Sequence, residues 1–289
     1  MRTRIMKNQT LPNLIGCGAG KSGTTSLYYY LRQHPEIDMA PMKEVHYFSH
    51  YYDRGIEWYL TQFDHCEPVK IRGEFSTSYM LDPMVPQRIA EVVPEAKLLF
   101  VLRNPIDRAY SNYWSSIGRG SFDVSIQFSE AIRIKSGQEA FVIPGFYCQH
   151  IRRFLEFFDR CQLYLIISEE LQTDQLSQLS KCYQFLGVDP SFIPDATEMY
   201  NITVISPNEF FKRVDQKWLN AKDTLRKLFS WVPEGARRKF AQVEQKIRWG
   251  IISGDKPLMD IEDRNYLRDI YQEHNRNLAQ FLERDLPWI

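Results

Sequence analysis

The stretch Leu11-Pro12-Asn13-Leu14-Ile15-Gly16-Cys17-Gly18-Ala19-Gly20-Lys21-Ser22-Gly23-Thr24-Thr25-Ser26 decides the fold. A short apolar run, Leu11 to Ile15, breaks into glycines, and the residues from Ser22 to Gln33 then have helical composition. Strand, glycine-rich turn and helix in that order open a βαβ unit. In such a turn, backbone N–H groups face an oxyanion and the following helix N-terminus adds its dipole. Lys21 supplies a mobile positive charge, while Ser22, Thr24, Thr25 and Ser26 supply hydroxyl donors around Gly23. Composition and position are those of a phosphate cradle. The plain alternative is a glycine-rich turn that holds no ligand.

The cradle departs from the Walker A pattern, which places four residues between its first glycine and Gly-Lys. Here Gly16 is separated from Gly20-Lys21 by three residues. A magnesium-dependent phosphotransferase also needs an acidic metal ligand at a strand end. The clearest strand, Lys97 to Leu102, ends instead in Arg103-Asn104-Pro105. An arginine there answers a phosphate, not a cation.

Further from the cradle, apolar runs predict strands over Val69–Phe75 and Leu163–Ile167. Helix-period stretches lie around Val85–Val93, Pro105–Trp114, Gly145–Phe158, Gln175–Leu186 and Ile261–Glu283, and the chain beyond Pro207 reads as mostly helical. This alternation predicts an α/β fold, P-loop-like and three-layered, with a central, mainly parallel sheet flanked by helices. Without an internal repeat or a flexible linker, residues 1–289 read as one domain.

Arg103 stands at the carboxyl end of its strand, where open α/β sheets bind ligands. Ser111 follows two helical turns later and can reach the same group. Two anion sites in one crevice suit a nucleotide carrying phosphate at both ends.

Whole-chain composition narrows the classes further. Lys plus Arg and Asp plus Glu both number 36, so the net charge is zero, which disfavours a protein that coats nucleic acid. Basic residues concentrate in 1–43, six against two acidic, and in 207–256, twelve against six. Five cysteines, an odd number without a CxxC pair, argue against a disulfide framework or a zinc site and for reduced thiols. No run of 18 apolar residues offers a membrane span, and the N-terminus lacks a secretory pattern, so the expected location is cytoplasmic.

With both anion motifs in view, the sequence resembles the sulfotransferases that use 3′-phosphoadenylyl sulfate (PAPS). Lys21-Ser22-Gly23-Thr24-Thr25-Ser26-Leu27 is similar to their 5′-phosphosulfate loop, and Arg103-Asn104-Pro105 through Ser111 to their 3′-phosphate motif. The likeness continues through Gly145–Leu155, Ser168-Glu169-Glu170-Leu171 and Phe185-Leu186-Gly187-Val188. Within the family it is closest to the carbohydrate-type and bacterial members, whose Lys-Glu-x-His-Phe-Phe pattern is matched by Lys43-Glu44-Val45-His46-Tyr47-Phe48.

The resemblance implies sulfuryl transfer from PAPS, with PAP as product, to a hydroxyl of a sugar, a lipid or another small acceptor. It implies that Glu44 is the general base, that His46 assists or orients it, and that Lys21 stabilises the leaving phosphate oxygen. No metal is required. A late glycine-basic loop closes over the 3′-phosphate in this family, and Gly254-Asp255-Lys256-Pro257 is the nearest match, making Lys256 a further donor-binding candidate. The plainer reading of Glu44 is a surface carboxylate paired with Lys43 or Arg32. The run His46-Tyr47-Phe48-Ser49-His50-Tyr51-Tyr52 lines the acceptor pocket or belongs to the core.

Two departures bear on the acceptor. Ser49 stands where glycan-modifying members usually carry an acidic residue, and Glu74-Phe75-Ser76 lacks the lysine that many have after the glutamate. Both speak against a heparan-like acceptor. The competing readings are a P-loop kinase-like phosphotransferase and a non-catalytic nucleotide-binding protein of the same fold.

Overall fold

The computed structural model describes residues 11–63, 69–195 and 257–288. Five strands, β1 (Leu14–Gly18), β2 (Ile37–Met39), β3 (Ile71–Phe75), β4 (Lys97–Leu102) and β5 (Leu163–Ile167), form one sheet in the order β2-β3-β1-β4-β5. Every neighbouring pair is parallel, with Leu14 opposite both Gly73 and Lys97, and with Leu98 to Leu102 facing Leu163 to Ile167. The α-helices among the described residues are α1 (Thr24–Gln33), α2 (Tyr47–His50), α3 (Gly55–Leu60), α4 (Val85–Val92), α5 (Pro105–Gly118), α6 (Phe128–Ala131), α7 (Lys135–Gly137), α8 (Tyr147–Leu155), α9 (Ser168–Thr173), α10 (Gln175–Leu186) and α11 (Ile261–Leu282).

Leu98 to Leu102 of β4 and all of β5 read as unbroken apolar runs because helices cover both faces of the sheet. Alternation sorts their side chains. Ile15, Cys17, Leu98, Phe100, Leu102, Leu163 and Leu165 pack on one face with Ile89 of α4, Ile151 and Phe154 of α8, and Leu278 of α11. Leu14, Leu99, Val101 and Ile166 pack on the other with Leu27 and Leu31 of α1 and Leu179, Cys182 and Leu186 of α10. A third cluster joins Ile106, Ala109 and Tyr113 of α5 to Phe128, Phe141, and Leu267 and Tyr271 of α11.

The first strand begins at Leu14 and runs through Gly18, three residues later than its apolar run predicts. Gly16 is part of the ladder, opposite Phe75 and Leu99. A side chain there would meet the Phe75 ring at 2.2 Å, so this glycine serves close strand packing, not a turn. Strand β3 starts at Ile71, not Val69, and β2, only three residues long, carries too short a pattern to announce itself. Helix α5 begins where Arg-Asn-Pro predicts: Asn104 Oδ1 accepts the Ile106 N–H at 3.0 Å and Pro105 occupies the first turn.

Because all strands run the same way, their carboxyl ends open onto one edge of the sheet. The segments leaving that edge are Ala19-Gly20-Lys21 after β1, Ala40 to Glu44 after β2, Ser76-Thr77-Ser78 after β3, Arg103-Asn104 after β4 and Ser168-Glu169 after β5. Strand β1 is central, and the chain pairs β3 on one side of it and β4 on the other. The crevice beside β1 is therefore where the topology places a ligand.

Candidate active site

The loop after β1 is shaped by three residues with positive φ: Gly18 at 139°, Lys21 at 70° and Gly23 at 90°. Gly23 is the N-cap of α1, where the left-handed backbone suits glycine, and no acidic side chain stands in the first helical turn. Ala19 N–H donates to Val101 O at 2.8 Å and ties the loop to β4. Ser22 and Thr24 are buried, whereas Thr25 and Ser26 are partly exposed on the first turn. Loop, dipole and hydroxyls are thus assembled as an anion site from consecutive residues.

Arg103 approaches this loop from the end of β4, its Nη1 donating to Lys21 O at 3.2 Å. The Arg103 backbone is held in turn, since Tyr147 of α8 donates its hydroxyl to Arg103 O at 2.8 Å. Asn104 N–H donates to Glu169 Oε1 at 2.9 Å, which fixes the entry to α5. Lys21 Nζ reaches Ser115 Oγ on α5 at 3.4 Å, and Arg119 Nη1 reaches the same hydroxyl at 3.0 Å. Lys21, Arg103 and Arg119 therefore converge beside α5, on which Ser111 is buried. Cations gathered around a neutral hydroxyl suit an anion of more than one charge. Arg119 was not among the sequence candidates, although Ser111, Ser115 and Arg119 recur every four residues along one helix face.

The other wall of the crevice comes from the segments leaving β2 and β3. Lys43 Nζ lies 3.0 Å from Glu44 Oε1 and 3.3 Å from Thr24 Oγ1, so one ammonium bridges the carboxylate and the start of α1. Glu44 does pair with Lys43, as the plainer reading expects, but both side chains are partly buried in the crevice. His46 Nε2 stands 3.6 Å from Glu44 Oε2, and its Nδ1 is 2.8 Å from Ser78 Oγ. Burial holds His46 below the usual histidine value, against the opposing pull of Glu44, so the ring is neutral near pH 7. Its backbone φ of 57° lies in the left-handed region, as does that of Lys21. Non-glycine residues adopt this conformation at a cost of about 1–3 kcal/mol, and such strain clusters at functional sites.

Beneath these groups Glu74 of β3 is fully buried. Tyr59 and Tyr79 donate to its Oε1 at 3.0 and 2.6 Å, and Ser76 donates to its Oε2 at 2.7 Å. Burial pushes the Glu74 carboxyl up to about 7 in spite of those three donors. Burial, and then the nearby Glu74, also push the Cys17 thiol well above its ordinary range. Phe75, where a lysine was missing, packs over Gly16, and Lys43 Nζ sits 5.7 Å from its ring centre. The aromatic run divides: Tyr47 and Phe48 are core, Tyr47 stacking on Tyr59 at 4.2 Å, while His50 and Tyr51 are exposed.

Lys256 lies outside the described residues, so its predicted contact stays an expectation. A 650 Å³ cavity between Tyr110, α6 and the start of α11 is lined by Glu130, Asp260, Glu262 and Asp263. Its four carboxylates against one cation, Arg133, oppose an anion, and none of the described sequence candidates borders it.

The sulfotransferase domain family model matches residues 11–281. The chain belongs to the sulfotransferase family. Among its relatives, mouse bifunctional heparan sulfate N-deacetylase/N-sulfotransferase 4 is 30% identical over 95% of this chain. Human bifunctional heparan sulfate N-deacetylase/N-sulfotransferase 3 is 29% identical over the same share. The chain spans 30% of the length of each of these relatives. Among solved structures, a sulfotransferase from Alicyclobacillus acidocaldarius superposes with a TM-score of 0.69 at 24% identity, covering 96% of this chain and 98% of that one. The sulfotransferase domain of the curacin biosynthetic pathway superposes at 0.52 with 15% identity, covering 96% of this chain and 99% of that one. These two share the fold of this sulfotransferase domain.

Proposed function

We propose that this sulfotransferase domain moves a sulfuryl group from PAPS to a hydroxyl of a sugar, a lipid or another small acceptor, with Glu44 as general base. The observation that carries this reading is the Lys43 bridge, 3.3 Å from Thr24 at the cradle and 3.0 Å from Glu44. It sets the anion cradle and the only carboxylate among the sequence candidates within one side chain of each other.

The residues present fit such a donor. The loop N–H groups and the start of α1 would hold its 5′ end, and Arg103 with Ser111 its 3′-phosphate, with Arg119 close by. The donor supplies a sulfuryl group on a good leaving phosphate. Lys21 meets the charge that develops on the leaving oxygen, an electrostatic contribution worth about 10²–10³-fold for one well-placed donor. Glu44 accepts the proton of the attacking group, worth about 10²–10⁴-fold. Neutral His46 orients Glu44 from one side.

A second reading keeps the donor and exchanges the acceptor for the amine of an amino sugar. The N-sulfotransferase relatives at 29–30% identity favour it. An amine protonated at neutral pH also needs a base before it can attack, so Glu44 keeps its role.

The test is transfer of labelled sulfuryl from PAPS to four acceptors: de-N-sulfated heparan oligosaccharide, its N-acetylated form, p-nitrophenol and dodecanol. Product with any hydroxyl acceptor supports the first reading, and product with the free amine alone supports the second. Lys21→Ala collapses turnover. Wild-type turnover in that variant overturns the site assignment. Transfer of phosphate from ATP only with magnesium would favour the kinase-like alternative, and undiminished PAPS binding without product on any acceptor would favour the non-catalytic one.

A further inference from the structure

The three residues leaving β3, Ser76-Thr77-Ser78, all carry hydroxyls, and all three hydroxyls engage the segment that leaves β2. Ser76 Oγ accepts the His46 N–H at 2.9 Å while donating to Glu74. Ser78 Oγ lies 2.8 Å from His46 Nδ1 and 2.8 Å from Ser49 Oγ. Thr77, between them, makes the closest attachment. Its N–H donates to Glu44 Oε2 at 2.7 Å, and its hydroxyl lies 2.9 Å from Oε2 and 3.0 Å from Oε1.

This arrangement limits what Glu44 can do. An ionised carboxylate offers about four lone-pair sites. Lys43 takes one on Oε1, the Thr77 N–H takes one on Oε2, and the Thr77 hydroxyl straddles the pair. What remains open faces away from Thr77 and Lys43. A carboxylate held only by a flexible lysine would rotate about its terminal torsion. Held by a backbone N–H and a hydroxyl from one residue, it has a single plane.

We propose that Thr77 is a positioning residue for the reaction: its N–H and hydroxyl lock the Glu44 carboxylate in one orientation, with Ser78 holding the His46 ring beside it. This rests on the reading of Glu44 as the base. The charged and titratable groups facing that carboxylate are Lys43 at 3.0 Å and His46 at 3.6 Å, with buried Glu74 behind, and His50 faces His46 with ring centres 5.0 Å apart. Replacing Thr77 by valine keeps its shape and its N–H but removes the hydroxyl. The ionised site then loses one donor, which disfavours the charged form, and the carboxylate regains rotation.

The experiment compares wild type, Thr77→Val, Thr77→Ser, Ser78→Ala and Glu44→Gln on the fastest acceptor of the panel above. Kinetics run across pH, and PAP binding by calorimetry and thermal unfolding are measured alongside. In Thr77→Val, kcat falls about tenfold and the acid limb of the pH profile moves up. The KM for PAPS and the affinity for PAP stay unchanged. Thr77→Ser, which keeps the hydroxyl, restores both kcat and the limb, and Ser78→Ala gives a smaller kcat loss. Thr77→Val with wild-type kcat and an unmoved limb, or Thr77→Ser as poor as Thr77→Val, overturns the proposal. So does a loss accompanied by weaker PAP binding and a lower Tm with the limb unmoved, which is a merely structural role. If Glu44→Gln is inactive while Thr77→Val is unaffected, this inference alone falls. Full turnover in Glu44→Gln, or no transfer by the wild type to any acceptor, removes the proposed function and this inference with it.

Discussion

The two walls of the crevice are built in different ways. The cradle wall is local: Gly18 to Ser26 is one continuous stretch, and its proposed anion-binding role follows from backbone, dipole and one lysine. The opposite wall is woven from two chain segments about 30 residues apart, Lys43 to His46 and Ser76 to Ser78, joined by five hydrogen-bond contacts, two of them from the one Thr77 hydroxyl. Below it sits a buried carboxylate with three hydroxyl donors. A wall made from consecutive residues can bind a group whose charge is fixed. A wall made from paired segments can hold a side chain to one orientation, which proton transfer demands. Lys43 touches both.

Four substitutions test that division. The largest effect belongs to Glu44→Gln, which lowers turnover about 10²–10⁴-fold while PAP binding, followed by calorimetry, stays within a few-fold of wild type. If PAP binding falls as steeply as turnover, the two walls are one unit coupled through Lys43, and the division fails. Glu74→Gln comes next, read as stability against pH. With its carboxyl raised from 4.5 to about 7, the folded chain holds a proton that the unfolded chain has released. The contribution of Glu74 to stability is therefore greatest below pH 4.5 and declines between there and about pH 7 by about 3 kcal/mol. Urea unfolding of Glu74→Gln shows this decline removed, and an unchanged slope would mean that Glu74 is ionised throughout.

Arg103→Ala weakens PAP binding about 10–100-fold, the loss of a charge-assisted contact, with the acid limb of the pH profile in place. A shifted limb would mean that the cradle wall also sets the base. The smallest effect is that of Arg119→Ala, an exposed side chain sharing Ser115 with Lys21. PAP affinity falls only a few-fold, and the loss shrinks as salt is raised because the charge is screened.

How much of each wall was legible follows from this construction. Lys21, Ser22 to Ser26 and Arg103 could be named because each sits in a contiguous motif at a strand end. Glu44 and His46 were named through family likeness, and the structure places them together at 3.6 Å. Thr77 and Ser78 carried no signal, since a Ser-Thr-Ser run after a strand reads as an ordinary turn. Glu74 was named only as part of a departure from the family pattern, because a buried glutamate in a strand cannot be told from an exposed one by residue type. Arg119 was within reach, four residues beyond Ser115 and eight beyond Ser111.

The fold divides along the same line. The runs Lys97–Leu102 and Leu163–Ile167 are strands as their composition predicts, and α10 stops at Gly187, whose φ is 79°. The glycines of β1 belong to the strand because Phe75 from the neighbouring strand occupies the space of a side chain at Gly16. Tyr47 and Phe48 are core and Tyr51 is surface, although all three are aromatic and lie within five residues. From the sequence alone came the alternation of strand and helix, the parallel sheet it requires, and the charges that stand at its carboxyl edge. These follow from local periodicity and backbone geometry. Only the tertiary structure decided that β2 and β3 lie side by side, so that the residues leaving one clamp the carboxylate leaving the other. That contact depends on which strands pair, and strand pairing is a property of the whole sheet.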